Sequence, residues 1–178
     1  SEIIRILHTN YRNSPQITDL ANRILLIKNA RFGSIDKESN YLVRCNSSSQ
    51  GCAELLEDDD KIKRELNHKT KRSTRHAVMV MRAEDKELAR KWFQTPLLFS
   101  IQEAKGLEYE NIILLNFISD NQDEFGEITE DVTRDDLNRE LKYARAKDKT
   151  DKSLEAYKFY INALYVAVTR AIRNVYVV

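Results

Sequence analysis

The sequence predicts an α/β fold, a three-layer sandwich in which helices cover both faces of a mostly parallel sheet. Two observations indicate this class. Short β-prone apolar runs alternate with segments of helical periodicity, and only four glycines and two prolines interrupt the chain. The length of 178 residues suits a single domain, 1–178. Apolar residues make up 42% and charged residues 32%, which suffices for a core beneath a heavily charged surface.

The first half of the chain opens with an apolar run at 3–7, which predicts a short strand. Ser14 and Pro15 are a favourable N-cap and first helical residue. Apolar residues then recur at helical spacing: Ile17, Leu20, Ala21, Ile24 and Leu25. A β-prone run at 41–44 predicts another strand, and 49–66 is predicted to be helical with acidic residues at its middle.

The second half alternates more regularly. Strands are predicted at 76–81, 97–101, 112–117 and 175–178, and helices at 84–93 and 154–172. On the last helix, residues three or four apart form one apolar face: Leu154, Tyr157, Ile161, Leu164, Val168 and Ile172. Arg170 follows Val168 by two positions, about 200° around a helix, so it is expected to project away from that face.

A charged stretch at 119–158 interrupts the alternation. Residues 120–140 hold nine acids and two bases, whereas 142–158 hold six bases and three acids. The pattern favours a solvated helical insertion whose two halves partly neutralise each other. An insertion that docks a partner is the alternative.

Composition and motif content exclude several classes of protein. The net charge is +1, so any contact with nucleic acid must be local rather than driven by a global basic excess. No stretch of about 18 apolar residues and no basic-then-apolar leader occurs, which argues against a membrane span and a secretory signal. Cys45 and Cys52 form no disulfide framework, which fits a reducing cytoplasm. Scattered histidines without ligand spacing predict no metal site.

Three segments carry the chemical information: Asn10-Tyr11-Arg12 before the capped helix, Ser100 to Glu108 between two strands, and Leu164 to Ala171 at the end of the chain. Taken singly, each has an ordinary structural explanation. An arginine such as Arg170 is commonly exposed to solvent, and a glycine such as Gly106 commonly marks a turn. The order and combination of the three segments carry more information than any one of them.

Together these segments resemble the motifs of the UvrD/Rep-like superfamily 1 helicases. Asn10-Tyr11-Arg12 matches the N-Y-R of the family's motif IV. Residues 100–108 match motif V, roughly T-x-H-x-A-K-G-L-E, and 165–171 match motif VI, roughly Y-V-A-V-T-R-A. The resemblance covers almost the whole chain apart from 119–158. The short connection at 66–76 leaves no room for a large accessory insertion, which indicates a compact branch of the family.

The resemblance implies a RecA-like fold of the P-loop NTPase type, the second of two motor domains. ATP with Mg²⁺ would be held mainly by an N-terminal RecA-like domain that carries the phosphate loop. Tyr11 would stack on adenine, and Arg12 and Arg170 would be catalytic arginines that reach the γ-phosphate. Gly106 and Glu108 would lie at the nucleotide, with Glu108 near the ribose hydroxyls.

By the same resemblance, Ser100 and Gln102 would face single-stranded DNA, with RNA as an alternative. Gln102 replaces the family's usual histidine and cannot carry a positive charge, which predicts weaker affinity for the strand. The expected function is the C-terminal motor domain of an ATP-dependent DNA helicase or translocase, inactive as an isolated fragment. The alternative is a helicase-derived module that binds nucleic acid or protein without hydrolysing ATP.

Overall fold

A computed structural model describes residues 9–10, 13–32, 44–45, 50–130, 132–137 and 153–178. The helices are α1 (Pro15–Phe32), α2 (Asp60–Thr70), α3 (Asp85–Arg90), α4 (Gln122–Thr129), α5 (Arg134–Leu137) and α6 (Ser153–Thr169), with a 3₁₀ turn at Ser119–Asn121. The strands are β1 (Thr9–Asn10), β2 (Arg44–Cys45), β3 (Cys52–Leu55), β4 (His76–Val80), β5 (Leu98–Ser100), β6 (Tyr109–Leu114) and β7 (Ala171–Val177). The predicted strand at 3–7, Tyr11 and Arg12 lie outside the described residues.

The sheet has the order β3-β7-β6-β4-β5, and every neighbouring pair within it is parallel. A separate parallel pair joins β1 to β2. Because parallel strands need crossover connections, the helices must lie on the faces of the sheet. The predicted α/β class with a parallel sheet is therefore confirmed, and the architecture is consistent with the RecA-like fold.

Alternating side chains of the central strand β4 face two separate hydrophobic layers. Ala77 and Met79 pack in one layer with α1, α4 and α6, whereas Val78 and Val80 pack in the other with α2 and α3. All four side chains are at most 1% exposed. This near-continuous apolar strand is typical of a sheet that is covered on both faces.

The start of α1 is fixed to the start of β7. Ser14 caps the helix as predicted, because its Oγ accepts a hydrogen bond from the Ile17 amide at 3.4 Å. The Ser14 amide donates to the Ile172 carbonyl at 2.7 Å, and the Ser14 hydroxyl donates to the Arg173 carbonyl at 2.9 Å. The residues that follow the Asn10-Tyr11-Arg12 segment are thus held against β7.

The prediction of one helix at 49–66 is wrong. Residues Cys52–Leu55 form β3, which pairs with β7, and α2 begins only at Asp60. The Asp59 carboxylate caps α2 by accepting from the Ile62 amide at 2.7 Å. The run of acids therefore marks the beginning of a helix, where side-chain acceptors are favourable, and not its middle.

The prediction that the last helix continues to 172 is also wrong. It ends at Thr169, whose hydroxyl donates to the carbonyls of Tyr165 and Val166, both at 2.9 Å. Arg170 lies in the tight turn that follows, where its amide donates to the Ala167 carbonyl at 3.2 Å, and Ile172 belongs to β7. The direction of Arg170 is therefore set by this turn and not by helical periodicity.

The described parts of 119–158 are largely helical, and they are packed partly into the core. Phe125 and Ile128 of α4 are 8% and 0% exposed and join the core beside α6. Residues 131 and 138–152 lie outside the described part of the chain. None of the helices in the described residues has the length and apolar character needed to cross a membrane.

Candidate functional site at the two edges of the sheet

Glu108 and Arg170 lie side by side at the amino edge of the sheet. Glu108 immediately precedes β6, and Arg170 immediately precedes β7. Tyr109 pairs with Ala171 ahead of a register shift between the two strands, and the Tyr109 amide donates to the Arg170 carbonyl at 3.0 Å. Since paired strands are about 4.8 Å apart, the fold brings together two motif residues that are distant in the sequence.

Gly106 lies in the turn that leads to this edge, in a backbone conformation that favours glycine. Its φ is +79°, in the left-handed region, and open space surrounds the position where a Cβ would stand. The need for glycine therefore comes from the backbone turn and not from crowding. Leu107, the next residue, closes the turn by donating its amide to the Ala104 carbonyl at 3.0 Å.

The guanidinium of Arg170 is held loosely. Its Nε is buried without a hydrogen-bond partner among the described residues, and Nη2 contacts only the Thr169 hydroxyl at a long 3.5 Å. Burial raises the pKa of Tyr165, and the nearby Arg170 charge partly opposes that rise. A buried donor without a partner costs about 1–3 kcal/mol, which an anionic oxygen at this position would recover. Arg170 therefore fits a phosphate group.

Asn13 holds the backbone around Arg170 and was not singled out from the sequence. Its side-chain amide donates to the Thr169 carbonyl at 3.2 Å and to the Ala171 carbonyl at 2.5 Å, on both sides of Arg170. Asn13 is 8% exposed and immediately follows Arg12 in the sequence. In the sequence, Asn13 is only a polar residue next to the N-cap Ser14. Polar residues are common just before a helix, so no sequence pattern singles it out.

Ser100 and Gln102 lie at the opposite, carboxyl edge of the sheet. Ser100 ends β5 and pairs with Val80, the last residue of β4. The six residues of β6 separate the two edges by roughly 17 Å. Ser100 is only 3% exposed, whereas Gln102 is exposed in the following turn. The structure thus separates these two residues from Gly106, Glu108 and Arg170.

Glu103 organises the turn after β5 and was also missed. Its Oε1 accepts from the Ser100 amide at 3.2 Å and from the Lys86 ammonium at 2.7 Å. The hydrogen bond from Lys86, with those from Ser100, lowers the pKa of the Glu103 carboxyl. Glu103 stands where the family motif is variable, so the resemblance gave no signal for it.

No protein-family model and no curated protein matches the sequence. Among solved structures, the chain is similar to the C-terminal domain of a possible DNA helicase from Lactobacillus plantarum WCFS1. The two are 15% identical, with a TM-score of 0.46, over 94% of this chain and 86% of that one. A likeness of this degree carries no functional argument by itself.

Proposed function

We propose that the chain is the C-terminal motor domain of an ATP-dependent DNA helicase or translocase of the UvrD/Rep-like kind. The juxtaposition of Glu108 and Arg170 at the amino edge of the sheet is the observation that best supports the proposal. Both residues belong to the segments that resemble motifs V and VI, and strand pairing brings them next to each other. A nucleotide bound there would contact both segments at once.

In this proposal the amino edge contributes to a nucleotide site shared with an N-terminal RecA-like domain, which holds most of the ATP and the Mg²⁺. Arg170 and Arg12 supply positive charge to the γ-phosphate. A guanidinium suits this role because its planar fork binds two oxygens and stays charged. Positioned arginines accelerate phosphoryl transfer by roughly 10³–10⁵ in other proteins. Tyr11 stacks on the adenine, and Gly106 and Glu108 line the nucleotide.

The carboxyl edge provides part of the single-strand track. Gln102 is exposed there and can hydrogen-bond a base or a phosphate. Ser100 is buried beneath it and contributes through the turn that Glu103 organises. The nine residues from Ser100 to Glu108 link this edge to the nucleotide edge, so a shift at one edge has a short covalent route to the other.

Activity measurements on two samples test the proposal. The purified 178-residue chain should show no ATP turnover, because no phosphate-loop motif occurs in it. The natural protein that carries this chain should hydrolyse ATP faster when single-stranded DNA is added. Turnover by the 178-residue chain, with contaminants excluded, would contradict the division of labour between two domains. Strand binding without ATP hydrolysis by the natural protein would favour the non-hydrolysing binding module.

A further inference from the structure

An exposed aromatic residue stands beside an arginine at the carboxyl edge of the sheet. Phe159 of α6 is 46% exposed, one of few large apolar side chains in the described residues that are so open to water. Its ring contacts the ring of Tyr160 edge-on, with centroids 5.5 Å apart. The Arg82 guanidinium lies 5.5 Å from the Phe159 centroid and 5.4 Å from the Tyr160 centroid. We call Arg82, Phe159 and Tyr160 the aromatic platform.

The platform is held in one arrangement by polar and apolar contacts. Arg82 Nη2 donates to the Tyr160 hydroxyl at 3.0 Å, and the Arg82 amide donates to the Asp85 carboxylate at 3.1 Å. Tyr160 also packs edge-on against Phe125 of α4, with centroids 6.1 Å apart. A pre-ordered surface loses little conformational entropy when a ligand binds.

The platform lies at the same edge of the sheet as Gln102. Arg82 follows the end of β4 by two residues, and β4 pairs with β5 through Val80 and Ser100. The Lys86–Glu103 ion pair, at 2.7 Å, connects the segment after β4 to the turn after β5. Gln102 and the platform therefore follow neighbouring strands at the same edge of the sheet.

Several charges near the platform are paired or lie close to carboxylates. Burial raises the pKa of Asp120, and the nearby carboxylates of Asp85 and Asp58 raise it further. Lys86 is already paired with Glu103. Arg82 remains as a cation at this edge, with its guanidinium against both rings of the platform. Aromatic rings and guanidinium planes stack on any unpaired base.

We propose that the aromatic platform is a stacking site for an unpaired nucleobase of the single strand. Phe159 supplies the exposed ring face or edge, and Arg82 adds a cation that is fixed against both rings. The site would read unpaired bases without sequence preference, because every base has a π face. This inference rests on the proposed function, since it assigns a residue to the same strand track.

Fluorescence titration of the 178-residue chain tests the platform with two probes. One is a labelled oligothymidylate of about 20 nucleotides, and the other is an abasic strand with the same number of phosphates. We expect the wild type to bind the oligothymidylate at least about fivefold more tightly. Phe159→Ala should abolish that difference, whereas Phe159→Trp should preserve it. Leu55→Ala, which truncates a 79% exposed apolar side chain at the far end of the sheet, is the matched control.

The outcomes separate this inference from the proposed function. Equal affinity of the wild type for both probes, or an unchanged ratio in Phe159→Ala, would overturn the platform and leave strand binding intact. Failure of the wild type to bind either probe would overturn the strand track itself. The ratio between probes is measured within each variant, so a partial loss of folded protein affects both affinities equally and does not mimic the expected result.

Discussion

At the scale of single residues, Arg170 combines a permanent charge with a buried Nε that has no partner among the described residues. In a residue that served structure alone, such a donor would usually be paired, because an unpaired one costs stability. Arg173, three positions further along, is the contrast. It donates to the Gln50 carbonyl at 3.1 Å and to Glu110 at 3.3 Å. Within the described part of the chain, the guanidinium of Arg170 therefore keeps an unpaired donor, whereas that of Arg173 is engaged in the fold.

In the natural protein that carries this chain, Arg170→Ala should lower the kcat of strand-stimulated ATP hydrolysis by roughly 100-fold or more. The reason is the loss of positive charge where negative charge develops on phosphate. Steady-state assays measure kcat and KM, and circular dichroism reports the fold. Arg173→Ala is the control and should leave kcat within about threefold. Equal losses of activity in the two variants would show that the effect is structural.

His76 supplies a prediction about pH. Burial lowers the pKa of His76 below its usual 6.5, with Lys69 acting in the same direction and Glu110 opposing it. The unfolded chain therefore takes up a proton at a higher pH than the folded chain does. The stabilising contribution of the neutral imidazole is present above about pH 6.5 and is lost as the pH falls through the folded-state pKa.

The free energy of unfolding in urea should consequently fall between about pH 7 and about pH 5, and His76→Gln should reduce that fall. Glutamine can keep a hydrogen bond to Ser73, whose hydroxyl lies 2.7 Å from Nδ1 of His76. His68→Gln, at an exposed position on α2, is the control and should retain the wild-type slope. A slope that is identical in all three proteins would assign the pH dependence to other groups.

At the scale of elements, the crossing of α1, β3 and β7 depends on Gly51. A Cβ at Gly51 would overlap the Arg173 carbonyl oxygen and would press on Ser14 Oγ. Both atoms belong to the hydrogen bond that fixes the helix start to the strand. The Gly51 amide also donates to the Gln16 side chain at 3.0 Å. The backbone at Gly51 therefore cannot move away from Arg173 without breaking one of these hydrogen bonds.

Gly51→Ala should therefore lower the free energy of unfolding by about 1–3 kcal/mol, the range for overpacking. Gly126→Ala is the matched control, because a Cβ there meets no atom within 4 Å and the residue lies inside α4. It should raise the free energy of unfolding by about 0.5–1 kcal/mol. Chemical denaturation of both variants measures the change in the free energy of unfolding, which should be negative for Gly51→Ala and positive for Gly126→Ala. Stabilisation by Gly51→Ala would mean that the two elements are not held as closely as described.

Local signals predicted some elements well and others poorly. Helix α1 was predictable because the Ser14–Pro15 start and the apolar spacing agree. Strand β3 was missed because its residues are mostly exposed and only its pairing with β7 defines it. The end of α6 was misplaced because the apolar pattern continues unbroken into β7. The proximity of Glu108 and Arg170 depends on the register of two strands, which no local pattern specifies.

At the scale of the whole molecule, the proposed function assigns different ligands to the two edges of the sheet. The amino edge, which we propose to bind nucleotide, and the carboxyl edge, which we propose to bind the strand, are joined by one segment, from Ser100 to Glu108. Ile101 and Ala104 anchor that segment, with 8% and 1% of their surface exposed. Because these two buried residues fix the backbone, a substitution of an exposed side chain between them should affect strand binding without affecting nucleotide binding. Gln102 is such an exposed side chain.

Gln102→Ala in the natural protein should weaken binding of single-stranded DNA and leave nucleotide affinity unchanged, because it removes a hydrogen-bonding group about 17 Å from the nucleotide edge. Gln102→His should bind the strand equally or more tightly. The salt dependence should be shallow, since the net charge of +1 implies few phosphate contacts. Paired titrations with labelled strand and labelled nucleotide measure both affinities. An equal loss of both in Gln102→Ala would show that the connecting segment does not divide the two ligands between the edges.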